Sequence, residues 1–171
     1  MLARMTRPAQ LPPLDLADFL RAERLDAEIV APGVPMPTVD AAAAAMGCAP
    51  DRIFKSILFQ DPTGACAMAI ACGLWRVDAR ALAALVGLAR LRLAAPDVVL
   101  AMTGYPAGGT PPVGHRERFP VVVDRRVAEQ DWGWAGGGRE ELLVRIAPAD
   151  IVRLHDARVA DVVLPRPASS P

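Results

Sequence analysis

The stretch RIFKSILFQDPTGACAMAIACG, residues 52–73, reads as two apolar strands joined at DPTG, residues 61–64. Asp, Pro and Gly in succession are strong turn formers, so the pair is expected as a β-hairpin. Alternation along 53–59 places Ile53, Lys55, Ile57 and Phe59 on one face and Phe54, Ser56 and Leu58 on the other. Lys55 is the single lysine among nineteen basic residues, the rest being arginine. One reading makes it an edge-strand lysine whose head snorkels to water. The other makes it a compact ammonium with three rotatable donors, in a site where a wide planar guanidinium would not fit. A chain that writes arginine everywhere else favours the second. Ser56 stands beside it, but neighbours on one strand point to opposite faces, so a Ser–Lys nucleophilic pair would need a bulge or turn.

Outward from the hairpin, DLADFLRAERL (15–25) begins on an aspartate cap and sets Leu16, Phe19 and Leu20 on one helical face. A short strand and a proline-rich turn follow, and Thr38 caps the helix VDAAAAAM, ended by Gly47. Beyond the hairpin come the helix in VDARALAALVG, the short strand ARLRLA, the helix PDVVLAMTG and the long loop GYPAGGTPPVGHRER. The last third alternates strand and turn through FPVVVD, WGWAGGGRE and ELLVRIA, then closes with the proline-started helix PADIVRLHD and the segment ARVADVV. Short strands mixed with helices, without a regular β-α repeat, predict an α+β fold on a mixed, mostly antiparallel sheet. The expected organisation is one domain over 13–164, with Pro- and Ser-rich tails at 1–12 and 165–171.

Composition removes several function classes. The formal net charge is zero and the pI about 6.7, so there is no electrostatic footprint for wrapping duplex DNA. The longest apolar run, ACAMAIACGLW (65–75), is too short to span a bilayer. No membrane association and a cytoplasmic location are the expectations. Cys48, Cys66 and Cys72 show no CxxC and are odd in number, which reads as small buried hydrophobes rather than a disulfide framework. His115 and His155 lie forty residues apart without metal-ligand spacing, so neither a metal nor a cofactor is expected. The glycine clusters at 107–109 and 135–138 fit neither a Walker loop nor a dinucleotide fingerprint.

The loop TGYPAGGTPPVGH (103–115) holds four glycines and three prolines. Prolines restrict it while glycines let backbone amides approach a ligand, which suits a loop that holds an oxyanion or carbonyl. Tyr105, the only tyrosine, and His115 border it.

FKSILF, followed by GYPAGGTPPVGH and then GGGREELLVRIAPADIVRLHDARVADV, resembles the YbaK/ProX family, free-standing relatives of the prolyl-tRNA synthetase editing domain. The resemblance covers roughly residues 20–164, with the three blocks in the family's order and spacing. It implies a mixed sheet partly closed into a barrel with helices around it, and trans-editing hydrolysis of tRNA mischarged with a small amino acid: alanine, serine, threonine or cysteine. Lys55 matches the family's essential lysine beside the 3'-terminal adenosine or the scissile ester. Gly108 and Pro112 match a GxxxP loop that contacts the ester carbonyl, with Gly109 and Thr110 between them, and Ser56 matches a Ser or Thr position. Gly136, Gly137 and Gly138 match a glycine-rich turn at the same pocket. Gly136 stands where the cysteine-removing branch has serine, and Leu143 where it has aspartate; both departures point away from cysteine.

The resemblance thus implies Lys55 and Gly108 as catalytic, and Ser56, Tyr105, Gly109, Thr110, Pro112 and Gly136–Gly138 as binding the 3' end of an aminoacyl-tRNA, with a synthetase as a candidate partner. An activated ester needs binding, a polarised carbonyl and water rather than a side-chain nucleophile. The alternative is a non-catalytic module for a tRNA acceptor end or a synthetase. Arginines 116, 118, 125, 126 and 139 would serve phosphates in either case, but acids at 117, 124, 129, 131, 140 and 141 dilute them into a solvated face.

Overall fold

A computed structural model describes residues 14–166; the tail expected at 1–12, and most of that at 165–171, lie outside the described residues. In chain order the elements are α1 (Leu16–Ala22), β1 (Glu28–Val30), α2 (Val39–Met46), a 3-10 turn (Pro50–Arg52), β2 (Phe54–Gln60) and β3 (Cys66–Cys72). Then follow α3 (Ala79–Val86), β4 (Arg92–Leu93), α4 (Pro96–Thr103), β5 (Val121–Asp124), α5 (Arg125–Ala128), β6 (Gly133–Gly136), β7 (Leu143–Ile146), α6 (Pro148–His155) and β8 (Arg158–Ala160).

The hairpin forms as its sequence predicts, antiparallel from Phe54↔Cys72 to Gln60↔Cys66. One Asp61 carboxylate oxygen organises the turn, accepting from the Thr63 amide at 2.9 Å, the Thr63 hydroxyl at 2.6 Å and the Ala65 amide at 3.0 Å. The helix starts also obey local chemistry. Asp15, Thr38 and Asp78 accept from first-turn amides of α1, α2 and α3, while Gly47 and Gly87 end α2 and α3 in the left-handed region.

All seven residues of β3 are buried, because both of its faces are covered. Cys66, Met68, Ile70 and Cys72 point into the main core with Phe54, Leu58, Val121 and Val123, packed with Leu16 and Leu20 of α1, Val127 of α5 and Ile151 of α6. Ala67 and Ala69 face the other way, toward Leu82 and Ala83 of α3, with Phe59, Val122 and Val162 around them. The large/small alternation of CAMAIAC therefore fits a deep core on one side and a closely seated helix on the other.

Two sheets are present, with strand orders β4-β2-β3-β5-β8 and β1-β7-β6. Four of the six strand pairings are antiparallel, and β3–β5 and β5–β8 are parallel. The mixed, mostly antiparallel α+β class is therefore present, but the expected barrel is not: neither sheet closes. Parallel neighbours require crossover connections. Those between β3, β5 and β8 carry α3 to α6, and the two-residue β4 and three-residue β8 are left as edges at opposite ends. The sheets meet at one bridge, Ile53↔Trp134. Ala135, Val144 and Ile146 of the smaller sheet join the main core, whereas Trp134 and Leu143 face α2 through Ala42 and Ala43. The short helix α5 falls where the sequence reads as turn; Asp124 caps it by accepting from the Arg126 amide.

No helix of the described residues is long and apolar enough to cross a membrane. Cys66 and Cys72 are buried core residues and Cys48 is half-buried, all three as free thiols.

Leu82 is fully buried under the larger sheet. Leu82→Ala is expected to lose about 2–5 kcal/mol, read as a lower urea midpoint at unchanged slope. A loss below about 1 kcal/mol would show that α3 does not seal that face.

Candidate functional site

The start of β2 brings Lys55 and Ser56 against the smaller sheet through the Ile53–Trp134 bridge. Lys55 is half-buried and its Nζ donates to the Trp75 carbonyl oxygen at 2.6 Å. Burial is the main cause that holds its pKa below the ordinary lysine value. A neutral carbonyl orients the ammonium there, and among the described residues no carboxylate forms an ion pair with it. The Trp75 ring is in turn approached by the Arg126 guanidinium at 4.1 Å and that of Arg166 at 4.4 Å. Ser56 makes no bond to Lys55; its buried hydroxyl has no partner among the described residues, as expected of neighbours on opposite faces.

Two stretches of main chain make the opposite wall. Gly109 and Gly136 lie where a Cβ would come within 2.5 Å of the Arg139 backbone and 2.4 Å of the Thr110 carbonyl oxygen, respectively. The Gly138 amide donates to the Gly109 carbonyl at 2.8 Å, and the Gly137 amide to that of Leu142 at 2.9 Å. The loop before β5 and the turn between β6 and β7 thus touch through bare backbone. Gly108 adopts φ +88°, a region that glycine reaches at little cost.

Between these walls lies a cavity of about 190 Å³ that brings together Lys55, Ser56, Gly108, Thr110 and Gly136. Its apolar lining includes Met36 in the turn before α2 and Val39 and Ala42 in the first turn of α2, with Ile53 and Leu143. A second cavity of about 680 Å³ shares Met36, Gly108 and Glu140 with the first, and adds the run 33–37 and Glu141.

The other residues singled out in the sequence are placed elsewhere. Tyr105 is a core side chain, 1% exposed, whose hydroxyl has no partner among the described residues; burial pushes its pKa up to about 12. Gly109, Gly137, Gly138 and Pro112 support the wall from behind rather than lining it. The expectation of a loop rich in exposed amides needs correcting: residues 109–113 are buried, and only Gly108 among 103–115 is exposed. Of the arginines named in the sequence, Arg125 pairs with Asp161, Arg126 with Asp124 and Asp161, and Arg139 with Glu141. The contribution of α2 escaped the sequence reading, in which 38–47 is an ordinary capped helix. So did Glu140, read as part of a solvated face.

The fold also joins two residues that the sequence separates. His115 and His155 stack with ring centroids 5.2 Å apart, and His115 stacks on Phe119 at the same separation. Each Nε2 lies 2.8 Å from a proline carbonyl, Pro111 for His115 and Pro112 for His155. Burial lowers both pKa values, that of His115 to about 4 with a smaller push from His155. Among the described residues no group of three or more His, Cys, Asp or Glu is arranged to hold a metal ion.

A model of the aminoacyl-tRNA editing domain family matches residues 34–154. A candidate Cys-tRNA(Pro)/Cys-tRNA(Cys) deacylase of Enterococcus faecalis is 22% identical over 125 residues, 73% of this chain and 76% of that protein. A proline–tRNA ligase of Pelobacter propionicus is 32% identical over 89 residues, 52% of this chain but only 16% of the ligase. The crystal structure of a candidate trans-editing enzyme for prolyl-tRNA synthetase matches with a TM-score of 0.72 and 33% identity, covering 81% of this chain and 87% of that one. A second crystal structure, of a hypothetical protein, matches at 0.79 and 32% identity, over 87% and 99% of the two chains.

Neutral burial of the two histidines sets a pH dependence. In the unfolded chain both take up protons near pH 6.5, while in the fold His115 resists until about pH 4. The unfolded state then binds more protons across this window, so stability falls as pH drops from about 6.5 toward 4. Asp61 and Asp131, held low chiefly by hydrogen bonds from Thr63 and Arg52, lose their contribution only at more acid pH. The urea midpoint is expected to be lower at pH 4.5 than at pH 7, with a smaller difference in His115→Gln; an unchanged midpoint would contradict neutral burial.

Proposed function

The chain belongs to the aminoacyl-tRNA editing domain family, and we propose that it hydrolyses the ester joining a small amino acid to the 3' end of a mischarged tRNA. The observation that carries this reading is the cavity that unites Lys55 with Gly108, Thr110 and Gly136, its remaining lining largely apolar with Thr38, Ser56 and Glu140 among it. Its volume of about 190 Å³ suits a small amino acid. The larger adjoining cavity, with Gly108 as common wall, is the place for the terminal adenosine, whose ribose hydroxyls can donate to Glu140 and Glu141.

In this reading water adds to the ester carbonyl carbon, and negative charge grows on the carbonyl oxygen. The C–O bond to the ribose then breaks, one proton of the water passes to the ribose oxygen and the other to solvent, and the amino acid leaves as its carboxylate. Lys55 supplies a positive charge that is partly desolvated, and so stronger than it would be in water. The exposed backbone at Gly108 contacts the carbonyl side. The ribose 2'-hydroxyl assists the water, so no serine or cysteine nucleophile is needed. Ser56, whose hydroxyl is buried and not bonded to Lys55, has no nucleophilic role here.

The wall also bears on the amino acid. Met36, Ala42, Ile53 and Leu143 are apolar, and the Thr110 hydroxyl is engaged at 2.9 Å by the Pro106 carbonyl. Alanine fits this apolar part of the wall without a polar side-chain atom, while Thr38, Ser56 and Glu140 on the same lining are the groups a serine or threonine hydroxyl would have to reach. Exclusion by size is weak per methylene, so overlap among small esters is expected. The neutral net charge and acid-paired arginines imply few free phosphate contacts, hence weak intrinsic tRNA affinity, a modest salt slope and a role for a synthetase in delivery.

A deacylation time course on tRNAs charged with alanine, serine, threonine, cysteine and proline tests the reading. Wild type is expected to clear the alanyl ester fastest. Lys55→Ala and Lys55→Arg should each lose about 100- to 1,000-fold in rate with the unfolding midpoint retained. Near wild-type turnover in Lys55→Arg would defeat the catalytic role of Lys55. Binding of charged tRNA without any hydrolysis would make the protein an acceptor-end binding module instead.

A further inference from the structure

Pro111 and Pro112 are both buried, and the run through them carries Gly108 and Thr110 into the cavity wall. Two consecutive prolines contribute no N–H, so this part of the loop cannot be pinned by donors of its own. Their buried carbonyls still need partners, because an orphaned buried acceptor is costly. Two imidazoles meet that need. A carbonyl only accepts, so both Nε2 atoms must carry the proton, His115 toward Pro111 and His155 toward Pro112. The buried Nδ1 of His115, which has no partner among the described residues, is then a bare acceptor, consistent with a neutral ring. His155 is the last residue of α6, and stacking on His115 ties that helix end to the loop.

Resting on the editing function proposed above, we propose that His115 and His155 are positioning residues, a stacked pair that clasps the Pro111 and Pro112 carbonyls and thereby sets the size of the amino-acid cavity. Neither histidine lines the cavity or reaches a substrate there. Their effect passes through the loop: with a donor lost, a buried carbonyl is orphaned, the run 108–112 relaxes toward water, and the wall at Gly108 and Thr110 recedes. The consequence is a looser sieve, not a missing catalytic group. An ammonium or guanidinium would also donate, but would bring a charge into the same buried place.

Two measurements test this. In wild type near pH 6.5, long-range proton–nitrogen spectra of the imidazoles are expected to show both rings neutral with the proton on Nε2. A proton on Nδ1 in either ring, or a cationic ring, would overturn the clasp without reference to activity or to any variant. The second compares kcat/KM for tRNA esters of alanine and of 2-aminobutyrate, one methylene larger. His155→Leu is expected to lower the alanine preference about tenfold, the scale of one methylene in an apolar pocket, and His155→Gln, which keeps a donor, to restore most of it. Equal loss on both esters with the ratio unchanged would reduce the pair to a structural prop. A wild type inactive on every ester would fail the editing function and the sieve together, while the spectra would still decide the clasp.

Discussion

Two segments 28 residues apart, at Gly108–Thr110 and Gly136–Arg139, approach so closely that no side chain fits between them. Adding a methyl group at Gly109 or Gly136 would drive a carbon to within 2.5 Å of main-chain atoms, which cannot swing aside as the end of a side chain can. The site depends on this contact. It attaches the smaller sheet to the proline loop, and the Ile53–Trp134 bridge attaches the same sheet to the start of β2. A cavity is left where the three segments meet, with Lys55 on one wall and bare backbone on the other.

The charge in that cavity is held economically. An ammonium buried beside a carboxylate would have most of its field cancelled, whereas Lys55 is oriented by the neutral Trp75 carbonyl. Its lowered pKa reflects the cost of partial desolvation, and an anionic transition state or phosphate would relieve that cost. Arginine at this position would spread its charge over a plane with a different donor geometry. Energy for the site comes from elsewhere: β3 is buried throughout, and the helices on both faces of its sheet make a rigid floor for β2.

What could be read in the sequence was local. The DPTG turn, the caps at Asp15 and Thr38 and the stops at Gly47 and Gly87 act within four residues of themselves, and each element lies where its signals are. The separation into two sheets was not readable, because it depends on which distant strands pair, and alternation is the same for an open sheet as for a closed one. The site divided along the same line. Lys55 stood out by composition and strand alternation, and the glycines by their density. Yet glycine density does not say whether a loop offers its amides to a ligand or to another loop; here 109–113 is buried. His115 and His155 carried no joint signal across forty residues, and only the fold stacks them.

The proposed function has the aminoacyl end received where β2, the proline loop and the β6–β7 turn meet. Amide chemical-shift mapping with a non-hydrolysable alanyl-amide analogue of 3'-terminal adenosine tests it directly. Shifts are expected at Lys55, Ser56, Gly108, Thr110 and Gly136, extending to residues 33–37 and 140–141 with the nucleoside. Shifts confined to the cavity at the other end of β2, beside Gln60, Arg90 and Arg92, would contradict it.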